Sequence, residues 1–264
     1  MKHAFSAIRD VPHYRHDAFI AGLKRVGYHV NLHLPARPPA PGEVLVLWNR
    51  YSDRELTADA WEKKGGVVLV AENGYAGADA EGRQYYALAK SGHNGSGTWP
   101  AGDGSRWAAL GIELKPWRAE GSHVVVFGQR SIGSKAMASP PGWHDHLTAR
   151  LRKFTKRAVR VRPHPGNPAN HPEVIADTQK LLAGAHAVCL WSSANGVRAL
   201  IEGVPVFYDA PRWILEGAAV KGVENVEAPR MDDADRLAAL ERMAWAQWTV
   251  DEIASGEPFA RLLA

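Results

Sequence analysis

The chain has 264 residues, a net charge of +4 and a pI near 9.2, with 45% hydrophobic and 23% charged residues. That length suffices for one large domain or for two small α/β lobes with cores of their own. No apolar run reaches the roughly 18 residues of a membrane span, and the opening MKHAFSAIRDVPHYRHD is too charged for a signal peptide, so the expected location is the cytoplasm.

The first half alternates short apolar strands with amphipathic helices. HAFSAI reads as a strand. Tyr14 to Tyr28 reads as a helix ending near Gly27, with Phe19, Ile20, Leu23 and Val26 at helical spacing. HVNLHL alternates like a strand, and the proline-rich PARPPAPG resists regular structure. EVLVLWN is a buried strand, Asp53 to Lys64 a helix, and GGVVLVAEN a strand apolar on both faces, as parallel strands are. Residues 74–104, rich in glycine and polar side chains, read as loops around one short strand, QYYALA.

Composition then resets. HVVVFGQR is a strand, Trp143 to Thr155 a helix, AVRVRPHP a strand running into a turn, and Pro172 to Ala183 a helix. HAVCLWSS is a strand, Ala194 to Glu202 a helix, VPVFYD a strand, and Met231 to Ile253 one or two closing helices. The expected fold class is α/β: two Rossmann-like lobes with parallel sheets and right-handed crossovers, over residues 1–117 and 118–264, with a C-terminal helical segment. Cys189, the single cysteine, lies in an apolar run and reads as a core residue. The count excludes an internal disulfide and a cysteine-rich zinc site.

Ligands of such sheets bind beyond the carboxyl ends of the strands, so chemistry is sought there. Arg162 and His164 follow one strand in a turn stiffened by two prolines, a setting for a phosphate or carboxylate. Ser192 and Ser193 stand at the next strand-to-helix turn, either as an anion site with the first helix amides or as an ordinary cap. Gly196 at the helix start would let a ligand approach closely. Gln129 and Arg130 end a third strand. In the first lobe Glu72 ends a dry strand and is a candidate general base, or a turn-capping glutamate. Asn73 follows it, Asn49 and Arg50 end the neighbouring strand, and His93 and Asn94 lie in a glycine-rich loop read as an acceptor contact or lid. Neither a phosphate loop of the GxxxxGK[ST] type nor an HExxH motif occurs. The acidic trio Asp232, Asp233 and Asp235 reads as a helix start, and no metal site is expected. Arg150, Arg152, Lys153, Lys156, Arg157, Arg160 and Arg162 are either a solvated face or a polyanion contact.

Three of these motifs occur in the order seen in a known group. RPHP after a strand, then SSANGVRALIEGVPV after the next, resembles the donor lobe of GT-B glycosyltransferases. Capsule-polysaccharide Kdo transferases and bacterial sialyltransferases are the most similar. The resemblance implies that His164 with Pro165, and Ser192 with Ser193, hold the phosphates of a nucleotide sugar. It implies that Glu72-Asn73-Gly74 is the base motif, and that Glu202 contacts the ribose. Asn73 departs from the family's second acidic residue, which leaves Glu72 as the base candidate there. The chain also resembles glycosyltransferases of bacteriophages and prophages. That likeness implies a 5-hydroxymethylpyrimidine of phage DNA as acceptor and the host cytoplasm as location. The expected partners are thus a nucleotide sugar as donor substrate and DNA as a candidate acceptor, with no cofactor. A saccharide-directed transferase, a sugar-nucleotide epimerase, a nucleotide-binding protein without catalysis and a plain nucleic-acid binder remain the alternatives.

Overall fold

The computed structural model describes residues 2–166 and 172–264. In chain order the regular elements begin with β1 (Lys2–Ser6), α1 (His16–Arg25), β2 (Tyr28–Asn31), β3 (Val44–Trp48), α2 (Asp53–Lys63), β4 (Val67–Ala78), β5 (Gln84–Lys90) and α3 (Ser105–Ala109). They continue with β6 (His123–Phe127), α4 (Trp143–Leu151), β7 (Ala158–Arg162), α5 (Pro172–Leu182), β8 (Ala185–Leu190), α6 (Asn195–Ile201), β9 (Val206–Tyr208) and β10 (Val220–Lys221). The last are α7 (Asp233–Ala244), β11 (Gln247–Trp248), α8 (Val250–Ser255) and α9 (Glu257–Leu262). The chain forms two compact units. Residues through Gly102, Gly133–Ala136 and Ala244–Ala264 make the first; Asp103–Ile132 and Met137–Met243 make the second.

The sheet of the first unit has the order β11-β5-β4-β3-β1-β2. Strands β1 to β4 pair in parallel, and β3 is buried along its whole length, as an apolar strand covered on both faces should be. Parallelism stops at β5, which pairs antiparallel with β4. The reason is local: only 79–83 join the two strands, too few for a crossover. Asp79 closes the turn, its carboxylate accepting the amides of Glu81 and Arg83 and the Arg83 guanidinium. Strand β4 also runs through Ala78, past the point where the glycine-rich composition predicts loop, with a register shift between Asn73 and Ala78.

The C-terminal segment belongs to this unit rather than to the second lobe. Gln247 and Trp248 form a strand against β5. The buried Gln247 side chain accepts the amides of Tyr75 and Ala76 at 2.7 and 3.0 Å and donates to the Ala76 carbonyl at 2.7 Å. It thereby supplies the hydrogen bonds that the register shift takes from β4. Helices α8 and α9 then cover α1. A Cβ on Gly22 would lie 1.9 Å from the Ile253 carbonyl oxygen and 2.7 Å from the Phe259 ring, so glycine sets the closeness of this crossing.

The sheet of the second unit has the order β10-β9-β8-β6-β7, every pair parallel. Strands β6 and β8 are fully buried. Cys189 lies in this core beside Val124, Val126 and Phe207, and burial pushes its thiol pKa up. Strand β7 is an exposed edge, with Val161 39% accessible, which is why its sequence tolerates arginine at alternate positions. The chain leaves β6 for β7 on one side and returns to β8 on the other. The carboxyl ends of β6 and β8 therefore flank the topological switch point, the position at which open α/β sheets bind ligands. The architecture is α/β, with two Rossmann-like lobes. No helix among the described residues is long and apolar enough to cross a membrane.

Candidate functional site

In the second unit the sheet brings three strand ends together. Gly128 follows β6 and its amide donates to the Arg162 carbonyl of β7 at 2.8 Å. A Cβ on Gly128 would come within 3.2 Å of the Pro163 Cα, so the PHP turn lies directly against it. On the other flank, Gln129 Oε1 accepts the Ser192 amide at 2.6 Å and ties β6 to β8. Gln129, Arg162, His164, Ser192 and Ser193 thus share one sheet edge, with Arg130 exposed beside them.

His164 carries the clearest electrostatic signature of this edge. Its Nδ1 accepts the Gly166 amide at 3.0 Å, which leaves the ring proton on Nε2. Burial, then the positive charges of Arg130 and Arg162, push its pKa down to about 4. The imidazole is neutral near pH 7 and sits in a positive field. An anion placed here relieves that field. Arg162 also reaches Asp177 on α5 at 3.4 Å.

Other predicted donor residues are used differently. Ser193 Oγ accepts the Asn195 amide at 3.2 Å and so acts as a local turn cap, keeping only its own proton to give. Gly196 is a packing position: a Cβ there would stand 2.5 Å from Leu190 and 2.7 Å from Trp213, inside the core and not toward a ligand. Glu202 follows the last residue of α6 and pairs with Lys115 at 2.5 Å. It is separated by the whole helix, about 10 Å, from the serines at its start, so ribose contact by Glu202 does not fit this edge.

In the first unit Glu72 and Asn73 lie where β4 leaves the core. Glu72 is partly exposed, and its Oε1 accepts the Asn73 amide at 3.0 Å. His93 Nε2 stands 4.0 Å from Glu72 Oε2. Burial pushes the His93 pKa down to about 4, so this ring is also neutral near pH 7. The loop carrying His93 and Asn94 is tied down. The Asn94 amide donates to the Tyr75 hydroxyl at 3.1 Å, the Gly95 amide to Asn94 Oδ1 at 2.8 Å, and Ser96 Oγ to the His93 carbonyl at 2.8 Å. These bonds make a built shelf of what the glycine content predicts as a lid. Asn49, with φ of +58°, ends β3 beside this point, and its amide donates to the Ala71 carbonyl at 3.0 Å.

Arg50 plays another part than the acceptor contact expected of it. It is buried, pairs with Asp59 at 2.5 Å and Glu62 at 2.9 Å on α2, and donates to the Ser91 carbonyl. Its guanidinium is committed to holding α2 and the His93 loop to the sheet. Tyr75 and Gln247 were not singled out by their sequence context. Tyr75 lies in a stretch that composition marks as loop, and Gln247 inside a run that reads as helix.

Three of the seven cations of the basic segment face carboxylates. Arg150 pairs with Asp209 at 2.6 Å, Arg157 with Glu227 at 3.0 Å, and Arg162 with Asp177. Arg152, Lys153, Lys156 and Arg160 are exposed and make no ion pair among the described residues. No group of three or more His, Cys, Asp or Glu side chains able to hold a metal ion occurs among the described residues.

No protein-family model matches the sequence, and no curated protein matches it. Among the solved structures that match nearly the whole chain are two Kdo transferases. One is the Thermosulfurimonas dismutans KpsC β-Kdo 2,7-transferase, at a TM-score of 0.56 and 16% identity over 97% of this chain and 98% of that one. The other is the KpsC β-Kdo 2,4-transferase of the same organism, at 0.54 and 14% identity over 90% and 89%. At these identities the likeness is one of fold alone, the two-lobed α/β fold shared with these two structures.

Proposed function

We propose that the protein is a glycosyltransferase that moves a sugar from a nucleotide-sugar donor to an acceptor hydroxyl. The observation that carries this reading is the edge at the switch point of the second unit. There a neutral His164 donor, two guanidiniums and Ser192, whose amide is tied to Gln129, stand at the ends of adjacent strands. The likeness in fold to Kdo transferases supports the same assignment.

In the proposed reaction Arg130, Arg162, His164 and Ser192 hold the donor phosphate. The bond from the anomeric carbon to the phosphate oxygen breaks, and its electrons stay on the phosphate. The cationic and N–H groups stabilise that charge as it grows. The acceptor oxygen bonds to the anomeric carbon and its proton passes to Glu72. The finer proposal for the acceptor is the hydroxymethyl group of a modified pyrimidine in phage DNA. It rests on the resemblance to phage enzymes and on the exposed cations at 152, 153, 156 and 160.

The test is a panel of nucleotide sugars incubated with saccharides and with DNA containing plain or 5-hydroxymethylated pyrimidines, read by mass spectrometry. A sugar-sized mass gain on the modified base supports both parts, and a gain on saccharide alone replaces the DNA acceptor. Glu72→Gln should abolish transfer while keeping donor binding, and His164→Ala should lose donor binding. Absence of donor binding by the wild-type chain overturns the assignment.

A further inference from the structure

The Glu72–His93 pair has a geometry of its own. At 4.0 Å the two side chains are too far apart for a direct hydrogen bond. One oxygen at about 2.8 Å from each spans that gap comfortably. Their side chains are 22% and 15% exposed, enough to be touched by one small group but not to be flooded by solvent.

Which way the ring's proton points follows from its surroundings. His93 Nδ1 is buried without a hydrogen-bond partner. A proton there would be an orphan donor, whereas a proton on Nε2 faces a carboxylate. The neutral ring therefore presents Nε2–H toward Glu72. The charge that faces it is that of Glu72. Arg50, which anchors the same loop through Ser91, is spent on Asp59 and Glu62. The Tyr75 hydroxyl takes the Asn94 amide, and burial raises its pKa, so it stays protonated.

We propose that Glu72 and His93 form a two-point seat for a single alcohol hydroxyl, His93 Nε2–H donating to its oxygen and Glu72 Oε2 accepting its proton. The seat selects an alcohol over an amine or a carboxylate. An ammonium has no lone pair for Nε2–H, and a carboxylate would oppose Glu72. His93 fixes the oxygen while the proton leaves, and it remains neutral throughout. The inference rests on the glycosyl-transfer reading for its role in turnover, but not for its geometry.

The experiment has two arms on the full-length protein. In the first, imidazole nitrogen NMR of histidine-labelled wild type, assigned with His93→Gln, reads the tautomer. An Nε2–H ring that stays neutral down to pH 5 and shifts in Glu72→Gln is the expected result. An Nδ1–H ring, or one titrating near the ordinary value, overturns the seat. In the second, His93→Ala should lower kcat/KM for the acceptor on the order of tenfold, as loss of one hydrogen bond predicts. Donor Kd should be unchanged, and His93→Gln, which keeps a donor, should recover most of the loss. Full transfer by His93→Ala overturns the seat and leaves the transferase reading standing. If wild type transfers from no donor, the transferase reading falls and the tautomer alone decides the seat.

Discussion

Gln129 Oε1 accepts the Ser192 amide at 2.6 Å, and this bond joins the ends of β6 and β8 at the switch point of the second unit. It also points that amide at a side chain, not at open solvent. Gln129→Ala removes a bond worth about 1 kcal/mol, so nucleotide affinity should fall about fivefold with a similar loss of stability. Gln129→Glu separates structure from binding. Its oxygen still accepts the amide, but a negative charge now faces the donor phosphate. Its urea midpoint should match wild type while nucleotide binding falls further than in Gln129→Ala. Equal binding by Gln129→Glu would remove the phosphate from this edge.

The depressed pKa of His164 carries two consequences of fixed sign. The folded value, about 4, lies below the ordinary 6.5 because of burial and of Arg130 and Arg162. The unfolded chain therefore binds the extra proton between those values, and stability is lost as pH falls from about 6.5 to about 4. His93 acts in the same direction. An anion bound at the edge offsets the arginine field and raises the His164 pKa. Nucleotide binding should thus tighten as pH drops through that raised value toward 4. Imidazole NMR with and without nucleoside diphosphate checks the shift. Urea unfolding at pH 7 and pH 4.5, in wild type and His164→Asn, checks the stability term, which should be smaller in the variant.

The C-terminal segment is expected to be structural to the first unit. Gly22→Ala adds about 1 kcal/mol of helix propensity, but its methyl meets the Ile253 carbonyl at 1.9 Å and the Phe259 ring at 2.7 Å. Overpacking against a backbone atom outweighs the gain, and a net loss of about 1–3 kcal/mol is expected in urea unfolding. A neutral or stabilising result would mean that α8 and α9 do not bear on α1.

What the sequence shows and what it hides divide along physical lines. Strands whose apolar runs are buried on both faces, such as Val44–Trp48 and Ala185–Leu190, are legible because burial alone dictates their composition. The edge of Gln129, His164 and Ser192 is legible too, since strand ends follow from strands. The return of Gln247 and Trp248 to the first sheet is hidden, because a two-residue strand has no period to read. So is the commitment of Arg50: its partners Asp59, Glu62 and Ser91 lie up to 41 residues away. Gly196 and Glu202 fit a motif by spacing, yet the fold turns one toward Trp213 and sends the other to the far end of α6. Spacing along a helix does not report which end faces the ligand.

The exposed cations at 152, 153, 156 and 160 separate a DNA acceptor from a saccharide one. Arg150, Arg157 and Arg162 already face carboxylates, so they have little charge to offer a phosphate backbone. Lys153 and Lys156 flank the exposed Phe154 on the turn that leads into β7. Each phosphate neutralised by such a residue releases counterions and contributes about 0.9 to the slope of log K against log salt. Lys153→Glu combined with Lys156→Glu should therefore lower the DNA-binding slope by about 2, with folding intact because both side chains are solvated. Transfer to hydroxymethylated DNA should weaken with it at low salt, while transfer to a free hydroxymethylated nucleoside should not. An unchanged slope would show that this turn does not dock DNA. Acceptor recognition would then fall to the first unit alone, where Glu72 and His93 meet a hydroxyl whatever chain carries it.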